Sequence, residues 1–587
     1  MLERRDILDH WLKIFLYGTF VSLLVLLGGL YYHQIIQADK YVRLAYSNRL
    51  RVIRHVAPRG EIFDRNGVPL AVNEKTFSIM GYPVDLDRPG MLAHFSELLS
   101  RYGIPMSVED LSRTIARQRG ARYRVIRLVP NLTMVQMAEL VADPEFPRQL
   151  FPLPVWRRIY PAGPLASHVI GYVGEISDNE LNELRISRPG EYFRGDFIGK
   201  TGVERFHEAT LRGMTGQEAI EVDARGRRVN TVDMRPSERG QDLHLTLDMG
   251  AQRRASEILR GHIGSIIVMD VNTGAVLVSA SSPAYDNNPL AWGISTREWQ
   301  DILNDRNRPM LDRTISGLYA PASTFKILVA LAALEENLIT PRSTFVCTGG
   351  LTIASRTFHC HRRSGHGRLG LITALQTSCN YYFYQLGMRL GIERLLRWSR
   401  KFGVGSQTGI DLPGEAAGNA AGPEWKRTRF RGANATWFQG DTINYSIGQG
   451  YLLMTPIQLA RMYAAFANGG YLVTPHLAPS NAREPVNLGI SPANLNLVQR
   501  GLDYAVVRPG GTGARAGAFG VNVAGKTGTA QVSRGSSNAL FAAYAPTDAP
   551  RYVAVAIIEA GRSGGRIASP MVGEILAHVL SHPSETN

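Results

Sequence analysis

The first strong pattern along the chain is an unbroken apolar run. From Ile14 to Tyr32 there is no charged residue, and FLYGTFVSLLVLLGGLYY is apolar or small throughout. Nineteen residues at a rise of 1.5 Å span roughly 28 Å, enough to cross a hydrocarbon core. Beyond it the texture is mixed. RGEIFDRNG closes on Asn66-Gly67, a tight-turn signal. MLAHFSELLSRYG and MVQMAELVAD carry helical periodicity between Arg-rich connections, and RRIYPAGPLASHVIGYVGEIS is punctuated by glycine and proline. Residues 34–240 are therefore expected to form an irregular α+β module.

Near residue 240 the pattern changes. GQDLHLTLD alternates like a strand and GAQRRASEILRGH like a helix, while Ser265–Asp270 and Ala275–Ala280 flank Asn272-Thr273-Gly274 as a hairpin. VAGKTGTAQV, ALFAAYAP and RYVAVAIIEAG predict three more strands, followed by a last helix, SPMVGEILAHVLSH. A helix-rich block over about 310–470 separates the two groups of strands. The expected fold class is multidomain α+β, with residues 241–587 forming an antiparallel sheet flanked by helices.

Length and composition agree with this division. A chain of 587 residues is too long for one ordinary domain, and 44% hydrophobic with 20% charged residues describes a globular protein. The net charge of +15 favours anionic partners, yet no dense Lys/Arg run suggests a nucleic-acid arm. Arg4, Arg5 and Lys13 precede the apolar run, so residues 1–13 are expected in the cytoplasm, 14–33 in the membrane and the rest outside. A cleaved signal peptide is the competing reading. The apolar core is long for one, and YYHQIIQADKY follows where a small-residue cleavage site would stand. An extracytoplasmic chain disfavours nucleic acid as a partner.

Three short motifs carry candidate chemistry. Pro321-Ala322-Ser323-Thr324-Phe325-Lys326 opens an apolar helix, with proline in its first turn. Ser323 and Lys326 are three residues apart and share one helix face. A serine hydroxyl needs a base to become a nucleophile, and a lysine made neutral by its surroundings can serve. Ser378-Cys379-Asn380 offers a second hydroxyl to relay a proton and an amide to hold a peptide backbone. Lys526-Thr527-Gly528-Thr529 lies on a predicted strand, where a cation and hydroxyls can grip a carboxylate and glycine admits an acyl group. Lys200-Thr201-Gly202 spells the third motif again, but it precedes the serine and is read as structural.

Ser-x-x-Lys, a Ser-x-Asn element and Lys-Thr-Gly, in this order and on these elements, form the signature of penicillin-binding proteins and class A β-lactamases. With RGEIFDRNG, YPAGPLASHVIGYVG, GKTGVERFHEATLRG and NYSIGQGYLLMTPIQLARMYAAFANGG, nearly the whole chain resembles class B penicillin-binding proteins, most of all their elongation-specific branch. The resemblance implies an anchored pedestal (dimerisation-like) domain below a serine β-lactamase-like transpeptidase domain, in a bacterial inner membrane. It implies a peptidoglycan D,D-transpeptidase of cell-wall elongation and cell shape, with β-lactams as covalent inhibitors and a RodA-type SEDS glycosyltransferase as partner. Ser323, Lys326, Ser378, Asn380 and Lys526 would be catalytic, and Thr527, Gly528 and Thr529 would bind the stem peptide. Ala322 departs from the glycine that relatives often carry.

The cysteines support a separate inference. Cys347, Cys360 and Cys379 fall within 33 residues, with His366 among them, a soft-ligand set suited to tetrahedral Zn²⁺. One disulfide plus a free thiol is the alternative in an oxidising compartment, and His359 and His361 are substitute ligands. Some relatives look metal-binding in this region. A β-lactamase would need a base for deacylation, and IDLPGEAAG shows no convincing one. A β-lactam sensor would need a signalling domain, which thirteen cytoplasmic residues do not provide. The division-specific transpeptidase shares every motif and remains the rival within the family.

Overall fold

The computed structural model describes residues 2–42, 50–86, 90–117, 125–222, 228–532 and 535–582, and side chains from Ile7 onward. The apolar run lies in one helix, Leu2–Tyr31, followed by a short π-helical turn, Tyr32–Ile36. Its described side chains, from Ile7 to Tyr32, are all exposed. Among the described residues nothing buries this apolar helix. It is long and apolar enough to cross a membrane.

The rest falls into two compact units that interleave along the chain. The first comprises residues 1–58, 75–156 and 213–239, the second 59–74, 157–212 and 240–587. The change of texture at residue 240 is thus a sequence landmark, and contacts group residues 59–74 and 157–212 with the C-terminal part. In the first unit, Leu50–His55, Gly216–Val222 and Arg228–Arg235 form an antiparallel sheet over Ile53, Ile220 and Val222. Helices Met91–Arg101 and Met134–Ala142 pack Phe95, Leu98, Leu99 and Leu140 against strand Ile126–Leu132. Thr133 and Gln136 close the start of the second of these helices with a reciprocal capping box.

The second unit is built on a five-stranded antiparallel sheet. Its strands are β1 (Gly264–Asp270), β2 (Val276–Ser282), β3 (Ala524–Gln531), β4 (Ser537–Ala545) and β5 (Tyr552–Ile558), in the spatial order β2-β1-β5-β4-β3. Strands β1, β4 and β5 are largely apolar on both faces because both are covered. Ile267, Val553, Val555 and Ile557 face a core that contains helices Lys326–Glu335 and Pro456–Ala467. Ile266, Val268, Ala554 and Ala556, one residue out of step, face helices Met249–Ile258 and Ser569–Ser581. Strand β3 is left at an edge of the sheet.

Two expectations differ from the observed elements. GQDLHLTLD yields only a two-residue strand, Leu243–His244, which pairs in parallel with Ile62–Phe63. The helix-rich block contains two small hairpins, Thr344–Cys347 with Gly367–Gly370 and Gly350–Ile353 with Arg356–His359. Strands of four residues are too short to show a period.

Beside the sheet, the second unit buries an ion cluster. Glu204 is fully buried, with Arg59 Nη2 at 2.8 Å from one carboxylate oxygen and Arg158 Nε at 2.6 Å from the other. Burial alone would raise its pKa, but the two guanidinium charges outweigh it and hold the carboxyl below its usual range. Replacing Glu204 with alanine leaves Arg158 without its buried counter-charge and Arg59 with Glu208 alone, at 2.9 Å. The expected cost is about 3–5 kcal/mol, read as a lower thermal unfolding midpoint of the purified full chain.

Candidate active site and cysteine cluster

The serine motif begins as a 3₁₀ turn, Ala322–Phe325, and runs into the α-helix Lys326–Glu335. Ala322 is left-handed, with φ of +50°. A side chain there is strained by about 1–2 kcal/mol, so the surroundings must hold it. Ala322 N donates to Gly448 O at 2.7 Å, Thr324 Oγ1 donates to Pro321 O at 2.5 Å, and Tyr463 Oη donates to Thr324 O at 2.9 Å. Gly448 has φ of +72°, and a Cβ there would stand 2.1 Å from Ala322 O. Gly448 lies in the NYSIGQG stretch, where no local pattern signals its contact with the serine turn. From Pro321 to Leu334 every residue except Ser323 is buried. The serine hydroxyl therefore occupies the opening in an otherwise sealed helix start.

One helical turn on, Lys326 is fully buried. Its Nζ donates to Asn380 Oδ1 at 2.7 Å, to Ser378 O at 2.9 Å and to Ser378 Oγ at 3.4 Å. Burial lowers this lysine to about 8, against the opposing pull of Cys379 and Cys360. Ser378 is itself left-handed, with φ of +56°, which turns its carbonyl and hydroxyl to the same ammonium. Asn380 opens the long helix Asn380–Lys401. Its carbonyl oxygen is committed to Lys326, and its Nδ2 reaches His359 O at 3.4 Å. Its amide nitrogen carries two donor hydrogens, so one remains for a peptide carbonyl.

The third motif closes the site from the sheet edge. On β3, Gly528 lets the strand approach the serine turn: a Cβ there would lie 3.1 Å from Pro321 O and 3.2 Å from Thr324 Cγ2. Lys526 is fully buried and donates to Thr527 O at 3.2 Å. Burial, then the positive charge of Lys326, push it well below its ordinary value. Thr527 donates its hydroxyl to Thr512 Oγ1 at 2.8 Å, while Thr529 is exposed. The duplicate motif has other partners. Lys200 Nζ pairs with Glu180 at 2.6 Å, and Gly202, with φ of +60°, allows a close approach to Gly171.

Cys347, Cys360, His366 and Cys379 converge, their ligand atoms all within 4.8 Å of one another. His366 Nδ1 lies 3.7 Å from Cys347 Sγ and 3.5 Å from Cys360 Sγ, and the sulfurs of Cys360 and Cys379 are 4.0 Å apart. Zinc bonds of about 2.3 Å to sulfur and about 2.0–2.1 Å to nitrogen give tetrahedral edges of about 3.6–3.8 Å. The donor set fits that ion, and all three cysteines are free. Gly349 and Gly365, both at positive φ, let the segments that join the two hairpins close on each other: a Cβ on Gly365 would lie 2.2 Å from Cys347 O, and one on Gly349 1.9 Å from Arg363 O. Cys379 stands between Ser378 and Asn380, so the cluster and the Lys326 acceptors share one backbone segment.

A half-open serine, a buried lysine one turn away, a Ser-x-Asn segment around that lysine and a Lys-Thr-Gly edge strand together define the penicillin-recognising serine acyltransferases. Residues 264–577 match the penicillin-binding protein transpeptidase domain, and residues 54–245 match the penicillin-binding protein dimerisation domain. Peptidoglycan D,D-transpeptidase MrdA of Haemophilus influenzae is 35% identical over 96% of this chain and 91% of its own length. Penicillin-binding protein 2 (PBP2) of Helicobacter pylori, solved in complex with MreC, is 30% identical, with a TM-score of 0.82 over 91% of this chain and 99% of that one. A chain of a peptidoglycan synthase complex that coordinates polymerization and crosslinking is 29% identical, with a TM-score of 0.70 over 96% of this chain and 98% of that one. The chain belongs to the penicillin-binding protein 2 (MrdA) family of class B penicillin-binding proteins.

The buried lysine predicts a pH dependence. A base must be neutral, and Lys326 loses its proton as pH rises through about 8. The rate of acylation by a penicillin is expected to fall about tenfold per pH unit below that value and to level off above it. Stopped-flow measurement with a fluorescent penicillin checks this, and a flat profile between pH 6 and pH 9 would contradict it.

Proposed function

We propose that this chain is a peptidoglycan D,D-transpeptidase of cell-wall elongation that works through an acyl-enzyme on Ser323. Ser323 Oγ attacks the penultimate D-Ala carbonyl of a donor stem pentapeptide, and Lys326 Nζ takes the hydroxyl proton. The tetrahedral oxygen is held by the backbone N–H groups of Ser323 and Thr529. The C–N bond breaks, and a proton passed through Ser378 and Lys526 leaves with the terminal D-Ala amine. An amine of a neighbouring stem peptide then attacks the ester, forms the cross-link and returns the proton to Ser323. Exposed Thr529 grips the terminal carboxylate, and Thr527 supports it from inside the strand.

The observation that carries this reading is the enclosure of the Lys326 ammonium by Ser378 and Asn380 beside an accessible Ser323. A hydrolase is disfavoured by Glu415, the one glutamate of IDLPGEAAG. Its carboxylate accepts Thr408 N and Oγ1, both at 2.6 Å, and Gly409 N at 3.1 Å, so it braces a loop. The apolar N-terminal helix, with Arg4, Arg5 and Lys13 at its start, supports a single-pass anchor that leaves the catalytic unit outside the cytoplasm. The MrdA relatives and the complexes of the solved neighbours support an elongation complex. Within it, a RodA-type polymerase would supply nascent strands and β-lactams would acylate the same serine.

To the cysteine cluster we assign a structural Zn²⁺ held by Cys347, Cys360, Cys379 and His366. When bound, it would supply a tether, fixing the segment that presents Ser378 and Asn380 to Lys326.

With a fluorescent penicillin, the wild type is expected to form an adduct that persists for hours by intact mass, and Ser323→Ala none. Rapid drug turnover, or an adduct surviving in Ser323→Ala, would defeat the reading. Depletion should give round cells, whereas filaments would indicate the division enzyme. For the metal, the purified chain is expected to carry about one zinc. Cys360→Ser should lose it and unfold at lower temperature, and a metal-free wild type with an internal disulfide would sink the assignment.

A further inference from the structure

Between the serine turn and the cysteine hairpins lies a group of aromatic rings to which the acyl-transfer chemistry gives no task. Trp425 and Phe430 come from helix Pro423–Arg429 and the residue after it, Trp437 and Phe438 from the approach to helix Gln439–Ser446, and Tyr451 from the segment beyond Gly448. The Tyr451 ring meets Trp425 at 5.2 Å, Phe430 at 5.6 Å and Trp437 at 6.5 Å between centroids. The rings are tilted rather than stacked, and none of the five is buried; Phe438 is 55% exposed. An isolated exposed aromatic is ordinary, but four rings joined through Tyr451, with exposed Phe438 sharing the Lys426 ammonium, form a surface that can bind a ligand.

An ion pair of buried Lys426 with half-buried Asp441 lies among these rings. Lys426 is 4% exposed, and its Nζ is 2.6 Å from Asp441 Oδ2 and 5.2–5.8 Å from the ring centres of Phe438, Tyr451 and Trp437. Asp441 is half-buried and its Oδ2 also accepts Phe438 N at 2.9 Å, so the pair fixes the geometry of this loop. Trp437 Nε1 donates to Thr442 Oγ1 at 2.8 Å, which orients that ring as well. The result is a rigid apolar shelf, which can bind with little loss of side-chain freedom.

Its place is next to the chemistry. Tyr451 is three residues from Gly448, whose carbonyl accepts the hydrogen bond from Ala322, so its Cα lies within about 11 Å of that contact. On the other side, a Cβ on Gly440 would lie 2.9 Å from Phe358 of the cysteine hairpin. The rim is cationic: Arg427, Arg429 and Arg431 are exposed, against one exposed carboxylate, Glu424.

We infer that this shelf binds the glycan of the peptidoglycan strand that brings the stem peptide to Ser323. The C–H faces of β-1,4-linked N-acetylated amino sugars would lie on the rings, and the arginines would meet carboxylates of the stem peptides beside the glycan. Aromatic faces are electron-rich and attract polarised C–H groups, which suits a pyranose ring better than a charged peptide. The inference deepens the transpeptidase reading and rests on it.

The test uses the full chain in detergent and peptide-free glycan strands released from sacculi by an amidase. Tryptophan fluorescence and calorimetry read binding, with fluorescent penicillin acylation of Ser323 run in parallel. Saturable binding to the wild type is expected, weakened at least about tenfold in Trp437→Ala and Phe438→Ala, with penicillin acylation unchanged. The inference is overturned if peptide-free strands do not bind, if both variants bind like wild type, or if they lose acylation together with glycan binding, which would make the shelf a support of the active site. Loss of acylation in the wild type would instead bring down the transpeptidase reading.

Discussion

An ammonium taken out of water must find acceptors for its protons or give one up, and the catalytic unit is organised around that constraint at Lys326. The helix that carries it is sealed on every side, so water cannot solvate Nζ. The acceptors come from one short segment, Ser378 to Asn380, whose left-handed serine turns two oxygens toward the lysine. Burial weakens the proton's hold while those oxygens position the amine, which makes it both a competent base and a fixed one. Lys526 is a second buried lysine nearby, and burial together with the positive charge of Lys326 lowers it well below its ordinary value.

The rest of the second unit can be understood as support for that arrangement. The segment from Ser378 to Asn380 is tied to the preceding helix by Ser378 N and Cys379 N, which donate to Leu375 O and Ala374 O, and Cys379 carries it into the cysteine cluster. Edge strand β3 supplies the opposite wall and approaches closely only because position 528 lacks a side chain. Gly448 fixes the serine turn from a third direction through Ala322. Three elements far apart in sequence thus meet at one opening, and the aromatic shelf begins three residues beyond the last of them.

Much of this was legible beforehand. Ser323 and Lys326 are helical neighbours three residues apart, so their proximity follows from local geometry. Strands β1, β4 and β5 of the large sheet announce themselves as largely apolar runs because both faces are covered, and the turn at Asn272-Thr273-Gly274 is a local signal. The four ligand-type side chains of the cysteine cluster could be proposed from residue type and clustering. Their convergence could not be derived, since it depends on two glycines letting the segments that join the two hairpins close on each other. Nor could the sequence show that the oxygen of Asn380 belongs to Lys326, or that Glu415 braces a loop.

The sequence by itself determined the residue types of the site, the helix that joins nucleophile to base, the apolar segment at the N-terminus and the strands of the central sheet. Each of these is written in local spacing or hydrophobic period. Tertiary structure decided the burial of Lys326 and Lys526, the left-handed strain at Ala322 and Ser378, and the interleaving of residues 59–74 and 157–212 with the catalytic unit. These depend on which distant segments exclude water from a group or press on a turn, and no local pattern encodes the identity of a distant neighbour.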